Sequence, residues 1–388
     1  MKILKWAAYV VFLLALFVAA DHLSASYSAP FRVADNHYHH GLLPDLEVQD
    51  VWGDRTITLK TDSLAFKARE RRTVPLQLDK YRILNIGDSM VEGSGVPAAE
   101  TLSSIMEDLA AKSSRPVEVL NASIASYSPR LYYFKLRYLL DEVKLKVNEV
   151  IVYIDPSDVQ DEVLYRDFVP VPWDSAEFAG VRLESYLARN SFLFQTFIRP
   201  KHWRDVHALV AFFYPKSDFT KQADRYGPVQ DDMAAEEAGL VGSLGPMFDY
   251  VNPSAWWEQP EAFPKGWREE RFGWFSDPKI MERWGDTGVA LARIYIRRIV
   301  RLCRDHNLKL RLVIYPNGYL VNQVPTEKYE AIWTEMAKEE GVELIDLFPL
   351  FRRESPDAAR AKYYIPEDVH WNEAGHKVMG DGMFDALK

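Results

Sequence analysis

The sequence predicts an α/β protein: a three-layer α/β/α arrangement on a mostly parallel five-stranded sheet, carrying one large insertion. Three observations predict it. Apolar runs at 82–87, 117–121, 150–154, 309–315 and 342–347 have strand length and are rich in Val, Ile and Leu, as strands buried on both faces are. Amphipathic helical runs at 98–112, 129–143, 288–307, 326–340 and 372–387 alternate with them. Between 159 and 286 the alternation stops, which marks an insertion. At 388 residues and 48% hydrophobic composition the chain can bury a large core and still carry that extra segment.

Taken from the amino end, Lys2 and Lys5 precede an apolar run from Trp6 to Ala20, and Asp21 follows it. This layout predicts a signal segment or membrane anchor over 1–20, with Val18-Ala19-Ala20 as a cleavage candidate. Positive charge at the amino end keeps that end cytoplasmic. The body is therefore expected on the extracytoplasmic, periplasmic side, anchored in the cytoplasmic membrane or secreted after cleavage.

Residues 21–80 form a polar extension, expected to pack on the catalytic domain, with a strand-like piece at 56–59. His37, His39 and His40 lack cysteines or acids at ligand spacing, so they are read as solvated histidines. Neither a metal nor a cofactor is expected. A net charge of −9 without a long basic run argues against nucleic acid as a partner. The single cysteine, Cys303, rules out an internal disulfide and falls at a core position of its helix.

The strand at 82–87 ends at Gly87, and Ser89 follows at once, with Gly93 and Gly95 making a permissive loop before the next helix. Ser89 thus sits past the carboxyl end of a strand, the edge where open α/β sheets bind ligands. A serine there needs a base and an orienting acid to become a nucleophile. The stretch 367–376 offers both. Asp368 stands two residues before His370 and so on the same side of an extended segment, while Glu367, three before it, is the alternative acid. Asn372 is placed to cap the last helix. Asp155, Asp158, Asp161 and Glu162, after the third strand, are read as a polar loop that positions the site.

The insertion at 159–286 holds seven of the eleven tryptophans and a stretch rich in Pro and Gly, which predicts a lid or substrate-binding cap. Trp256 and Trp257 there, and Trp371 beside His370, are candidates for substrate contact because aromatic faces suit the apolar faces of sugars. Arg293, Arg297, Arg301 and Arg304 make a stripe along one helix, expected to be a solvated face paired with acids.

Four short stretches carry a resemblance. Gly87-Asp88-Ser89, Asn121-Ala122-Ser123-Ile124-Ala125-Ser126, Asp155-Pro156-Ser157-Asp158 and the Asp368–His370 loop resemble, in order, the four sequence blocks of the SGNH/GDSL hydrolase superfamily. The resemblance covers 80–160 and 287–388. Residues 61–67 are similar to a run that precedes the catalytic domain in some extracytoplasmic members. It implies an SGNH-hydrolase-like, flavodoxin-like domain over 81–388. Ser89 would be the nucleophile, His370 the base and Asp368, or Glu367, the orienting acid. The oxyanion hole would use the backbone N–H groups of Ser89 and Ser126 and the side chain of Ser157.

Two positions depart from the family pattern: Ser126 replaces the oxyanion glycine and Ser157 the asparagine. Loss of one oxyanion donor costs about 10²–10³ in rate, so reduced activity is an expectation too. The implied function is an extracytoplasmic acyl-ester hydrolase or O-acetyltransferase acting on a polysaccharide or other cell-envelope glycan, beside a membrane-bound O-acyltransferase partner. Hydrolysis and transfer use the same side chains, and both stay open. The alternative is a catalytically silent glycan-binding or assembly subunit of a polysaccharide export or modification system.

Overall fold

Two strand pairs precede the central sheet in the computed structural model: β1 (Arg32–Asp35) with β2 (His39–Leu42), and β3 (Glu47–Trp52) antiparallel to β4 (Arg55–Lys60). The structure describes residues 2–25, 31–113, 116–198, 225–244, 267–323 and 325–388. They fall into two units, 1–41 with 169–228, and 42–168 with 229–388.

The larger unit contains β3, β4 and the sheet. β5 (Tyr81–Ile86), β6 (Val117–Asn121), β7 (Glu149–Ile154), β8 (Lys309–Ile314) and β9 (Glu343–Asp346) lie in the order β6-β5-β7-β8-β9, every pair parallel. The five strands and five helices fall where the sequence predicted them, to within a few residues at each end. Strand periodicity shows why both faces must be covered. Ile83, Ile151, Tyr153 and Val313 join one buried cluster with Leu102, Met379 and Met383 of the helices Leu102–Ala111 and Glu373–Ala386. Their neighbours on the opposite face, Leu84, Ile86, Val150, Val152, Leu312 and Ile314, are equally buried. A sheet apolar on both faces requires a helical layer on each, which gives the three layers.

Numbered within the sheet, the order is 2-1-3-4-5, so the chain reverses direction across the sheet between β5 and β7. That reversal opens a crevice beyond the carboxyl ends of these two strands. Ser89 follows β5 and Asp155 follows β7.

The polar-loop reading of residues after β7 is corrected. Ser157–Leu164 is a helix whose every residue is buried, including Asp158, Asp161 and Glu162. Its acids survive burial by pairing: Glu162 with Arg130 at 3.0 Å, Asp161 with Arg271 at 2.5 Å, and Asp158 with the Tyr132 hydroxyl at 2.8 Å. Residue 159, where the insertion was expected to begin, lies in this buried helix, and the described residues 229–244 and 267–286 group with the larger unit. Trp274 and Trp284 of that segment are fully buried, the Trp274 indole donating to the Pro156 carbonyl at 2.7 Å.

The arginine stripe lies on the helix Asp286–Asp305 and pairs with acids as expected: Arg293 with Glu339, Arg297 with Glu236 and Arg301 with Asp232. Cys303 is a core residue, and burial pushes its thiol up to about 12.

In the smaller unit, Lys2–Ala25 is one helix, and its Lys5–Ala25 stretch, 21 residues of mean hydropathy 1.9, is long and apolar enough to cross a membrane. The expected apolar segment thus runs several residues past Ala20. The solvated reading of the histidines is corrected: His39 and His40 are buried, with their Nδ1 atoms 2.6 Å apart, and burial beside His40 keeps the His39 pKa well down.

Candidate active site

Ser89 opens a one-turn helix, Ser89–Glu92, directly beyond β5. Asp88 caps it, its carboxylate accepting from the Met90 N–H at 2.9 Å. The turn is tight because Gly87 has no side chain: a Cβ there would stand 2.9 Å from Val91 and 3.1 Å from Tyr153. Ser89 remains partly exposed while Asp88 and Met90 are buried.

The loop 365–370 brings the partners. Asp368 donates its N–H to the Ile365 carbonyl at 3.1 Å, and Ile365 donates to the His370 carbonyl at 2.9 Å, closing a compact turn. Glu367 holds a left-handed φ of 59° within it. Asp368 Oδ1 accepts from the His370 backbone N–H at 3.0 Å and lies 2.5 Å from the ring Nδ1. His370 Nε2 lies 2.7 Å from Ser89 Oγ. A carboxylate beside Nδ1 places the ring proton there, which leaves Nε2 as an acceptor for the serine proton. Asp368 is half-buried, which works against its charge, yet these hydrogen bonds and the facing imidazole hold its pKa below the usual carboxylate range. Glu367 is exposed and points to no such contact among the described residues.

Trp52, which sequence reasoning missed, meets the other carboxylate oxygen. At the end of β3, its indole N–H donates to Asp368 Oδ2 at 2.8 Å, and its ring stands edge-on to His370, 4.9 Å between centroids at 83°. No local pattern signals a contact across 316 positions.

Ser126 lies in the turn after β6, at the same sheet edge. The turn is strapped to the serine loop: Ile124 donates to the Gly87 carbonyl at 3.2 Å, Ala125 to the buried Glu92 carboxylate at 2.6 Å, and Asn121 Nδ2 to the Val91 carbonyl at 2.9 Å. Ser126 has a left-handed φ of 62°, a conformation that favours glycine.

Ser157 is buried, its N–H donates to Asp155 Oδ1 at 2.7 Å, and its hydroxyl also bonds Asp155. A hydroxyl has one proton, and this one faces a carboxylate. A contact with Asp155 thus competes with the expected donation from Ser157 to an oxyanion. Asn317, in the loop after β8, was likewise missed: its Nδ2 reaches Asp155 Oδ2 at 3.4 Å, and its Oδ1 accepts from the Tyr319 and Leu320 N–H groups.

Carboxylate oxygens of Asp88, Asp155 and Asp158 lie within 4.8 Å of one another, a spacing that a cation would tolerate. Each is already engaged, Asp88 by Tyr315 at 3.1 Å, Asp155 by Ser157 and Asn317, and Asp158 by Tyr132. Burial first, and for Asp88 and Asp158 the neighbouring acids next, raise all three pKa values. The three form a cluster of buried, hydrogen-bonded acids beside the nucleophile.

Trp371 is corrected as a substrate contact. It is fully buried, with its ring 4.8 Å from Tyr315 and stacked on Phe351. Trp256 and Trp257 lie outside the described residues.

No family model matches the chain, and no curated protein does. Solved structures do. The psychrotrophic esterase EstA from Pseudoalteromonas sp. is 10% identical over 79% of this chain and 96% of its own, with a TM-score of 0.37. The acetylxylan esterase Axe2 from Geobacillus stearothermophilus is 10% identical over 81% and 96%, at 0.37. A lipase/acylhydrolase from Enterococcus faecalis is 11% identical over 79% and 95%, at 0.36.

Proposed function

We propose that the chain is a serine acyl-ester hydrolase or acyltransferase of SGNH type. One observation carries this reading: the unbroken chain Asp368–His370–Ser89, at 2.5 and 2.7 Å, at the switch point of a parallel sheet. Ser89 Oγ attacks the ester carbonyl while His370 Nε2 takes its proton. The tetrahedral oxyanion is met by the backbone N–H groups of Ser89 and Ser126. As the C–O bond breaks, His370 returns the proton to the leaving alkoxide, and the acyl group stays on Ser89. Water or a second hydroxyl then attacks the acyl-enzyme, losing its proton to His370 and freeing Ser89.

The site is proposed to work outside the cytoplasmic membrane. Lys2 lies before the Lys5–Ala25 stretch and Lys5 at its start, which orients an uncleaved helix with its amino end in the cytoplasm. The proposed substrate class is an O-acetylated polysaccharide or other envelope glycan, and the proposed partner a membrane-bound O-acyltransferase. Both follow from the resemblance of the four motif stretches.

The silent-subunit reading keeps one observation in its favour, the Ser157 hydroxyl turned to Asp155. The test is turnover of p-nitrophenyl acetate by the full chain in detergent, with a fluorophosphonate to label the nucleophile. Wild type should turn over and label, and Ser89→Ala and His370→Ala should lose turnover by at least about 10³-fold. A folded wild type that neither turns over nor labels sinks the proposal. Release of acetate to water, against its appearance on an added oligosaccharide, separates hydrolase from transferase.

A further inference from the structure

The acid of this site has an orientation problem that its own loop does not solve. The terminal torsion of an aspartate is broad and nearly two-fold, so a single bond to His370 leaves the carboxylate free to swing. The loop supplies partners for one oxygen, since the backbone N–H and the ring of His370 both meet Oδ1. The other oxygen is met by Trp52, from a hairpin that is no part of the α/β body.

That hairpin is fixed at its tip. Trp52 and Arg55 face each other across the turn, and Arg55 forms an ion pair with Glu373, in the first turn of the helix that follows the His370 loop. Trp52 and Arg55 thus grip the His370 loop before and after the histidine. On its other side, Trp52 lies against the loop that leaves Ser89. A Cβ on Gly95 would stand 3.0 Å from Trp52 Cδ1, so the absent side chain is what lets the indole settle there. The indole is in contact with the acid, the base and the nucleophile loop at once.

We propose that Trp52 is a positioning residue: its N–H locks the Asp368 carboxylate in the plane that faces His370 Nδ1, and its ring edge limits the tilt of the imidazole. The hairpin β3–β4 is then part of the catalytic apparatus, and the smallest active body begins before Glu47. A purely structural Trp52 would need only its bulk, which phenylalanine largely supplies. A positioning Trp52 needs its N–H, which phenylalanine lacks.

The inference rests on the serine-hydrolase reading for its kinetic arm, and a second arm keeps it independent of that reading. Trp52→Phe in the full chain should lower kcat for p-nitrophenyl acetate about ten-fold, the scale of one hydrogen bond realised in the transition state, with KM changed less than two-fold. The low-field proton resonance of His370 Nδ1–H, assigned by its loss in Asp368→Asn, should move upfield and exchange faster with water in Trp52→Phe. Both changes should occur at an unaltered melting temperature. If wild type proves inactive, the function reading fails, and the resonance alone decides the role of Trp52. An unchanged resonance overturns the proposal whatever happens to kcat, because the effect would then not pass through His370. An unchanged kcat in an active enzyme overturns it as well.

Discussion

His370 Nε2 stands 2.7 Å from Ser89 Oγ, although 281 positions separate the two residues. The sheet makes this meeting unavoidable. Ser89 leaves β5, the central strand of the reversal, and the His370 loop is tied to the loop after β8, where Gly318 donates to the Val369 carbonyl at 2.9 Å and Tyr364 to the Pro316 carbonyl at 2.9 Å. Parallel strands bring all their exits to one edge, so residues far apart in sequence converge there.

The acid of the site can be assigned by substitution. Asp368 contacts His370 twice, and Glu367 is exposed. Asp368→Asn should lower kcat by between about 10² and 10⁴, because the imidazole loses its tautomer and its support. Glu367→Gln should leave kcat within about two-fold. A large loss in Glu367→Gln with an active Asp368→Asn would reverse the assignment.

Ser126 carries a backbone cost that a glycine would remove. At φ 62° a residue with a Cβ is disfavoured by about 1 kcal/mol relative to glycine, part of which glycine gives back in unfolded-state entropy. Ser126→Gly should therefore raise stability by up to about 1 kcal/mol, seen as a rise of about 2 °C in Tm. Ester turnover should persist, since the backbone N–H is kept. A fall in Tm would mean that the Ser126 hydroxyl contributes more than the strain costs.

The acidic helix beneath the site gives a sharper contrast. Asp158 Oδ2 accepts from Tyr132 at 2.8 Å and from the Asp155 N–H at 3.0 Å, and burial, followed by the neighbouring Asp88 and Asp155, raises its pKa. Asp158→Asn keeps an acceptor of the same shape and should change stability by less than about 1 kcal/mol at pH 7. Asp158→Ala orphans both donors and should cost about 2–4 kcal/mol in urea unfolding. Equal costs for the two would show that the hydrogen bonds there are not what holds the helix.

The pattern of the five strands was legible because each is a short apolar run buried on both faces, and none depends on a distant partner to declare itself. Ser89, Asp368 and His370 were legible because a two-residue spacing and a strand-end serine are local features. Trp52 was not, because its role is defined by Asp368, 316 positions away. The helix Ser157–Leu164 was misread for a related reason: its acids look solvated until Arg130, Arg271 and Tyr132 arrive from other elements. Trp371 illustrates the opposite error. Adjacency to His370 suggested substrate contact, but in an extended segment successive side chains point to opposite sides, and the one beside a histidine that faces Ser89 turns into the core.

His376 offers a test of pH dependence in which opposing groups cancel. It is buried one helical turn after Asn372, and its Nδ1 accepts from the Leu102 N–H at 3.2 Å. Burial, and then the charges of Lys67, His370 and Arg55, lower its pKa to about 3. An unfolded histidine titrates near 6.5, so between about pH 6.5 and 3 the unfolded chain binds a proton that the folded chain refuses. Stability tied to His376 is thus complete above about pH 6.5 and is lost as the pH falls, by at most about 1.4 kcal/mol per pH unit. Asp62 and Asp161, raised by burial to about 6 and about 7, act with the opposite sign, since the folded chain holds their protons more tightly. Subtracting the stability of His376→Gln from that of wild type at each pH removes those terms. Glutamine can still accept from Leu102 and does not titrate. The difference should fall steadily in urea unfolding between pH 6.5 and 4, so that the variant becomes relatively more stable in acid. Parallel stability curves would show that His376 takes up its proton in the folded chain, and that its burial against Trp371 is looser than the 5.4 Å ring contact implies.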